Sequence, residues 1–344
     1  MRPALAAHAA RQSGLVTRAQ AKAVGYTERE LRTLTRTGGE WHIVRRGVYL
    51  LTPSWVAADA RRRHRLEIKA ALLNAREPAV VSHGSAAIVH DLPVLHVPRH
   101  VHLTRYGVNG GRAEHGVKYH PAGIPEEDVV QLGGVLVTSP ARAALDVARE
   151  EGYLPGLVVA DQALRAGVPT EELHRVVAGM KSWPGVTKSR AVAHDADGRS
   201  ESVGETVSRG LVAELGMGSP EPQFEIADGR TTARVDLRLG WHLFEFDGRV
   251  KYARVRPYDD QRPGEDVLWA EKRREDWLRS LGYGLTRLVW SDLFGEARRR
   301  TLRRMRADVE ATMRRVGDTA WQVAMAETER ATYLRGAVDR SHPA

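Results

Sequence analysis

Apolar positions change their period several times along this chain, and each change marks a predicted element. From Ala4 to Ser13 an Ala-rich run reads as a helix ending at Gly14. Thr17 can cap a short helix Arg18–Val24 that Gly25 stops, and Thr27 can cap a second, Glu28–Thr37, stopped by Gly38 and Gly39. Trp41–Val44 and Gly47–Leu51 then read as two strands around Arg45 and Arg46. Helix, turn, helix and a basic hairpin make the outline of a winged helix-turn-helix. On Glu28–Thr37, Leu31 and Leu34 join Leu15 and Val24 on the inward side. Arg29, Arg32, Thr33 and Arg36 fall at spacings of three and four and share another face. In such a fold that helix enters the major groove, and Arg45 and Arg46 at the wing tip reach phosphate or the minor groove. A solvated Arg face on a small helical bundle would carry the same spacing.

Farther on, Asp59–Asn74 is an amphipathic helix opening with Arg61, Arg62, Arg63 and Arg65. Residues 79 to 180 mix helix near Ser82–His90, Ala141–Glu150 and Leu157–Ala166 with strand near His100–Thr104 and Val135–Val137. There is no internal repeat. Ala193–Ser200 is polar and reads as a linker. A helix Glu201–Leu215, a hairpin Arg234–Asp247, a charged loop to Glu265, a helix Asp266–Leu281, a strand Gly284–Val289 and a basic helix from Asp292 follow.

The hairpin carries the most chemistry. Val235, Leu237 and Leu239 alternate with Arg234, Asp236 and Arg238; beyond Gly240 and Trp241, Phe244 and Phe246 alternate with Leu243, Glu245 and Asp247. Period two puts the apolar set on one face and gathers Asp236, Glu245 and Asp247 on the other, over a sheet packed on its reverse side. Like charges held together repel unless a cation sits between them, and oxygen-only ligands favour Mg²⁺ or Mn²⁺ over zinc. Glu201 and Glu205 lie one helical turn apart and offer a helix carboxylate. A helix glutamate, a strand Asp, a second strand acid and a nearby lysine outline a PD-(D/E)XK nuclease, in which the metal activates water and stabilises the phosphorane while the lysine orients the water. Asp247-Gly248 is also an ordinary turn signal, and carboxylates on a sheet face are often merely solvated.

Composition narrows the class of partner. The 344 residues exceed one compact core, and a net charge of +9, Arg-heavy, suits phosphate polyanions; an Arg-writing, high-GC genome would leave the same bias. There is no Cys, which excludes disulfides, thiolate zinc sites and Cys nucleophiles. Met1–Arg11 lacks an apolar core stretch and no run approaches eighteen apolar residues, so neither a secretory signal nor a membrane span is expected, and a cytoplasmic location is. His96, His100 and His102 sit close, His100 and His102 on one strand face, without an evident third ligand. Ser82-His83-Gly84-Ser85 reads as a turn and helix cap, and no nucleotide-cofactor motif is present. Arg298, Arg299, Arg300, Arg303, Arg304 and Arg306 offer either a phosphate-binding or a solvated helix surface.

Two stretches resemble known families. "SGLVTRAQAKAVGYTERELRTLTRTGGEWHIVRRGVYLL" resembles the N-terminal winged-helix domain of AbiEi-type antitoxins of type IV toxin–antitoxin systems, through T-x-x-Q-A at Thr17–Ala21 and R-R-G-V-Y at Arg45–Tyr49; "VTSPARAALDVAR" (Val137–Arg149) commonly follows it in that family. That resemblance implies DNA binding and a toxin partner protein. "RVDLRLGWHLFEFDGRVKY" with "EKRREDWLRSLGYGLTRLVWSDL" looks like proteins related to very-short-patch-repair endonucleases. It implies Asp236 and Glu245 as metal ligands, Asp247 as an accessory acid and Glu205 (or Glu201) as the helix carboxylate. Asp247 stands where many such nucleases carry lysine, so Lys251 or Lys272 would have to supply that charge, and Lys251-Tyr252 stands where relatives often carry His. The expected architecture is a mixed α+β or α/β multi-domain protein: a winged helix-turn-helix over 1–55, an α/β middle region over 56–192, a restriction-endonuclease-like α/β domain over 201–310 and a helical tail over 311–344. DNA is the expected partner, with either metal-dependent phosphodiester hydrolysis or, in an inactive form, antitoxin-like regulation.

Overall fold

The computed structural model describes residues 1–75, 77–105, 111–248 and 265–339. It is a mixed α/β fold that divides into two compact units, Met1–Ala196 and Asp197–Ala344.

The first unit opens with helix α1 (Pro3–Arg11), strand β1 (Val16–Thr17), helices α2 (Arg18–Ala23) and α3 (Glu28–Thr35) and strands β2 (Trp41–Arg45) and β3 (Val48–Leu51). The three strands form an antiparallel sheet in the order β1-β3-β2. Both short helices begin in capping boxes. Thr17 and Gln20 exchange side-chain and backbone bonds, and so do Thr27 and Glu30, satisfying the amide donors that a helix start leaves over. Helix α3 ends two residues before the expected Thr37: Arg36 is already extended, and its carbonyl accepts the Gly39 amide. Leu5, Val16, Ala21, Leu31, Trp41 and Tyr49 close a small core under the helices, and Leu15, Val48 and Leu50 pack instead on Leu66 and Ala70 of helix α5 (Ala60–Leu73).

The rest of this unit is built on a six-stranded mixed sheet. After the short helix α4 (Thr52–Val56) and α5 come β4 (Val80–Val81), α6 (His83–Val89), β5 (Val101–Arg105), β6 (Arg112–Glu114), β7 (Val117–Pro121), β8 (Val129–Leu132) and β9 (Val135–Thr138). The strand order is β6-β7-β5-β4-β9-β8, with β7 parallel to β5 and β9 parallel to β4. Helices α7 (Pro140–Glu151), α8 (Tyr153–Arg165), α9 (Thr170–Gly179) and α10 (Val186–Asp195) follow and share an apolar core.

The segment "VTSPARAALDVAR" reads in three dimensions as a start signal and a charge lock. Ser139 caps α7 by accepting the Arg142 amide, and Pro140 fixes the first helical φ. The Arg142 guanidinium is buried, 2.8 Å from Asp146 and 3.3 Å from Asp128. Asp146 also takes Arg149, Arg175 reaches Asp128, and the indole of Trp183 lies under both Arg142 and Arg149. Every charge in this group has a partner of opposite sign, as burial requires.

The second unit runs α11 (Val203–Ala213), β10 (Glu221–Ala227), β11 (Thr232–Leu239), β12 (His242–Asp247), α12 (Glu265–Ser280), β13 (Gly284–Val289), α13 (Gly295–Val316) and α14 (Asp318–Asp339). Its four strands lie in the order β10-β11-β12-β13, the first three antiparallel and β13 parallel to β12 after the α12 crossover. Helix α11 begins at Val203 with Ser202 as its cap, so Glu201 precedes the helix and does not stack one turn from Glu205 as expected. The expectation of a sheet packed only on its reverse side is also corrected. Leu243, foreseen on the polar face with Glu245, is fully buried in a cluster with Val235, Ile226 and Leu278 of α12. The crossover helix covers that face too. Helix α11 approaches because residue 204 is glycine, where a Cβ would lie 1.9 Å from the Phe246 ring. Among the described residues, no helix of either unit is long and apolar enough to cross a membrane.

Arg142→Leu removes the buried cation that Asp128 and Asp146 share and leaves each with one partner, Arg175 and Arg149, and the expected loss is about 3 kcal/mol of unfolding free energy. A urea titration followed by circular dichroism measures it; a change under about 1 kcal/mol is the outcome that would contradict the lock.

Candidate functional site

The acidic residues of the second unit meet where two strands part. Pairing between β11 and β12 runs from the turn as far as Leu237 opposite Phe244. Beyond it the Phe246 amide donates not to a backbone carbonyl but to Asp236 Oδ2, at 2.7 Å. The side chain thus stands in for a missing ladder partner. Burial, together with the neighbouring charges of Glu205 and Glu245, pushes the Asp236 carboxyl up to about 6, although the Phe246 amide and Arg274 act the other way. Asp236 thus feels the charges of Glu205 and Glu245, although the ligand atoms of the three do not all lie within 4.8 Å of one another.

Each of the other acids has a protein partner. Glu205 completes the cap of α11: its carboxylate accepts the Glu201 amide at 2.8 Å and the Ser202 hydroxyl at 2.8 Å, and also the Gln223 amide nitrogen at 2.8 Å. Gln223 takes a left-handed conformation, φ +53°, to face this helix end. Glu201 pairs with Arg234 at 2.9 Å. Glu245 lies 2.6 Å from Arg274 Nη1 on α12 and 3.8 Å from Arg287, its neighbour across β13. Arg287 continues the chain of charge to Glu271 and, at 3.2 Å, to Glu275. Asp247 is exposed at the end of β12.

Lysine does not reach this place among the described residues. Lys272 is exposed on α12, with its ammonium 5.5 Å from the centre of the Trp269 ring, and Lys251 lies outside the described residues. The cation beside Glu245 is Arg274. Its signal in the sequence is its place one turn after Glu271 in "EKRRED", a spacing that a lysine-based motif does not include. The donor set is oxygen only, the kind a hard divalent cation takes, but among the described residues no three of these acids bring their ligand atoms within 4.8 Å of one another.

In the first unit, Arg29, Arg32 and Thr33 are exposed along α3, and Arg36 is exposed at its end. Among the described residues the three arginines form no ion pair, whereas on α2 Arg18 and Lys22 are both neutralised by Glu28, at 2.6 and 3.2 Å. The Thr33 hydroxyl donates back to the Arg29 carbonyl. On the hairpin, Arg46 is exposed, while Arg45 is half-buried and donates to the His115 carbonyl at 2.8 Å. Arg45 tethers the β2–β3 hairpin to the β6–β7 turn. Of the arginines on α13, Arg298 pairs with Glu214, Arg304 with Asp292 at 3.3 Å, and Arg306 donates to the Leu215 carbonyl; Arg299, Arg300 and Arg303 are exposed.

A third grouping lies in the six-stranded sheet. His102 has its imidazole neighbours in His83 and His120, not in His96 or His100. Neither partner is near in sequence, and no spacing rule joins position 83 to positions 102 and 120.

No known protein family and no solved structure matches this chain. Two uncharacterised proteins of Mycobacterium tuberculosis, one from strain CDC 1551 and one from strain H37Rv, are each 28% identical to it over 165 residues, 47% of this chain. The chain spans 58% of the length of these curated relatives.

Proposed function

We propose that this protein binds DNA through its N-terminal helix-turn-helix and hydrolyses a phosphodiester in its C-terminal unit, which is a PD-(D/E)XK-like nuclease domain. The observation that carries the reading is the half-buried Asp236 carboxyl, raised to about 6 by burial and by the charges of Glu205 and Glu245. A perturbed acid held near like charges is a common mark of a functional site, because its ionisation is costly where it stands. The order helix, three antiparallel strands, crossover helix and parallel strand is consistent with the restriction-endonuclease-like domain that the sequence resemblance implies. Two capped short helices followed by a hairpin whose sheet includes β1 are consistent with a winged helix.

In this reading Arg29, Arg32, Thr33 and Arg36 face the DNA groove and Arg46 a phosphate, while Arg45 acts by fixing the hairpin. Asp236 and Glu245 hold Mg²⁺ or Mn²⁺, which supplies an activated water and charge neutralisation at the phosphate when bound. Gln223 and the Ser202 cap orient Glu205 toward the same place, and Arg274 releases Glu245 to the cation and remains as the positive group beside it.

One observation favours a second reading. Arg274 already neutralises Glu245, and Asp247 occupies the position where a lysine is expected, so the domain could serve only as a scaffold of an antitoxin-like regulator with a toxin partner.

Plasmid cleavage with Mg²⁺ or Mn²⁺ separates the two. The wild type is expected to nick or linearise DNA and Asp236→Asn to lose at least about 100-fold in rate; equal cleavage by both, or none by the wild type, would remove the enzyme reading. The same variant is expected to be more stable at neutral pH. A carboxyl raised in the folded state penalises folding once ionised, so the penalty is absent below about pH 4 and full above about pH 6. Asp236→Asn should therefore raise the Tm by about 2–6 °C at pH 7.5 and leave it nearly unchanged at pH 4, as differential scanning fluorimetry at both values will read. For the front of the chain, Arg32→Ala is expected to weaken DNA binding and to reduce by about one the slope of log affinity against log salt. Fluorescence anisotropy over a salt series checks this, and a flat salt response in the wild type would contradict it.

A further inference from the structure

The first unit contains three imidazoles gathered from three separate elements: His83 opens α6, His102 sits on β5 and His120 on β7, with the His120 ring stacked on that of His83 at 3.7 Å between centroids. One potential ligand nitrogen from each lies within 4.8 Å of those of the other two, and among the described residues no other His, Asp or Glu group does so. His102 Nδ1 and His120 Nε2 are 3.0 Å apart, close to the spacing of about 3.3 Å that two nitrogens take around tetrahedral zinc. We infer that His83, His102 and His120 form a binding site for a borderline transition-metal cation, Zn²⁺ in the first instance, with a fourth position left for water or an incoming ligand.

Four features support a built site. First, His83 and His102 are 3% and 5% exposed and His120 is half-buried, so the cluster is sheltered and reached from the His120 side. Second, the rings are neutral at physiological pH. Burial above all depresses His102 to about 3 and His120 to about 4, and burial followed by the neighbouring His120 and His102 takes His83 well below its ordinary value; a metal would displace the one proton that His102 Nδ1 and His120 Nε2 share across their 3.0 Å contact. Third, outer groups hold the first ring. Thr104 donates to Ser82 Oγ at 2.8 Å, and Ser82 Oγ lies 2.9 Å from His83 Nδ1. With Nδ1 donating to the second lone pair of Ser82, the Nε2 lone pair of His83 is free for a ligand, the arrangement typical of metal-bound histidine. Fourth, His83 adopts a left-handed backbone, φ +53°, uncommon for a residue with a Cβ and characteristic of positions held for function.

The donor set decides the metal class. Three nitrogens and no carboxylate suit Zn²⁺, Co²⁺, Ni²⁺ or Cu²⁺ and not Mg²⁺ or Ca²⁺. Nothing in this site depends on the acidic residues of the second unit.

The test uses the untagged, chelator-stripped full chain, titrated with Co²⁺ and followed by its visible ligand-field bands, and with Zn²⁺ by calorimetry. One equivalent of Zn²⁺ should bind with a Kd of about 10 μM or tighter and raise the Tm, a rise that His120→Gln should largely remove. His120→Gln, at the most exposed of the three, should weaken binding at least about 10-fold. His100→Ala on the same stretch should bind as the wild type does. Circular dichroism establishes that His120→Gln is folded; His102→Gln is the second variant if it is not. Binding that is only millimolar, or that survives both substitutions undiminished, would overturn the site.

Discussion

The Phe246 amide has to find an acceptor at the place where β11 and β12 stop pairing, and Asp236 provides it. That bond fixes the rest of the second unit's chemistry. A side chain that replaces a ladder carbonyl must lie in the sheet, away from water, and its charge is then costly. Helix α11 comes close enough to add Glu205 because Gly204 lets it rest on Phe246, and the parallel strand β13 brings Arg287 alongside Glu245. A half-buried acid, two further carboxylates and two guanidinium groups follow from one unsatisfied amide and one missing Cβ.

How much of this was legible in the sequence depends on the range of the interaction. Thr17 and Thr27 bond within their own first turns, so their caps and the helices after them could be read directly. Strand alternation likewise leads to the expectation that Asp236 and Glu245 share a face, and the charge of Glu245 does act on Asp236. What was not legible came from the partner element. Leu243 was assigned to the polar face, but α12 covers that face, and only the crossover geometry reveals it. The cap at Ser202 rather than Glu201, and the extended Arg36, were misplaced because helix ends are set by competing local bonds within one or two residues.

The histidines make the same point more sharply. His100 and His102 looked like a pair because they stand two apart, yet the β5–β7 register and the turn into α6 give His102 different neighbours. His83 sits in a segment read as a cap, and the capping hydroxyl of Ser82 is in fact turned toward His83 Nδ1, with no cap bond to the helix backbone. A residue type that suits a local role can be recruited for a distant one, and sequence gives no sign of the exchange.

Charge on the two units is organised differently, and this bears on how each could work. On α2 and α3 the acids Glu28 and Glu30 absorb Arg18, Lys22 and Arg2, leaving the arginines of α3 uncommitted at the surface. Such groups meet a polyanion without first breaking an ion pair. In the acidic site the order is reversed: Glu245 is held by Arg274 before any ligand arrives. In the proposed nuclease reading, a divalent ion held by Asp236 and Glu245 would take the place of that guanidinium, and Arg274 on the crossover helix would stand where the lysine two residues after Glu245 is missing.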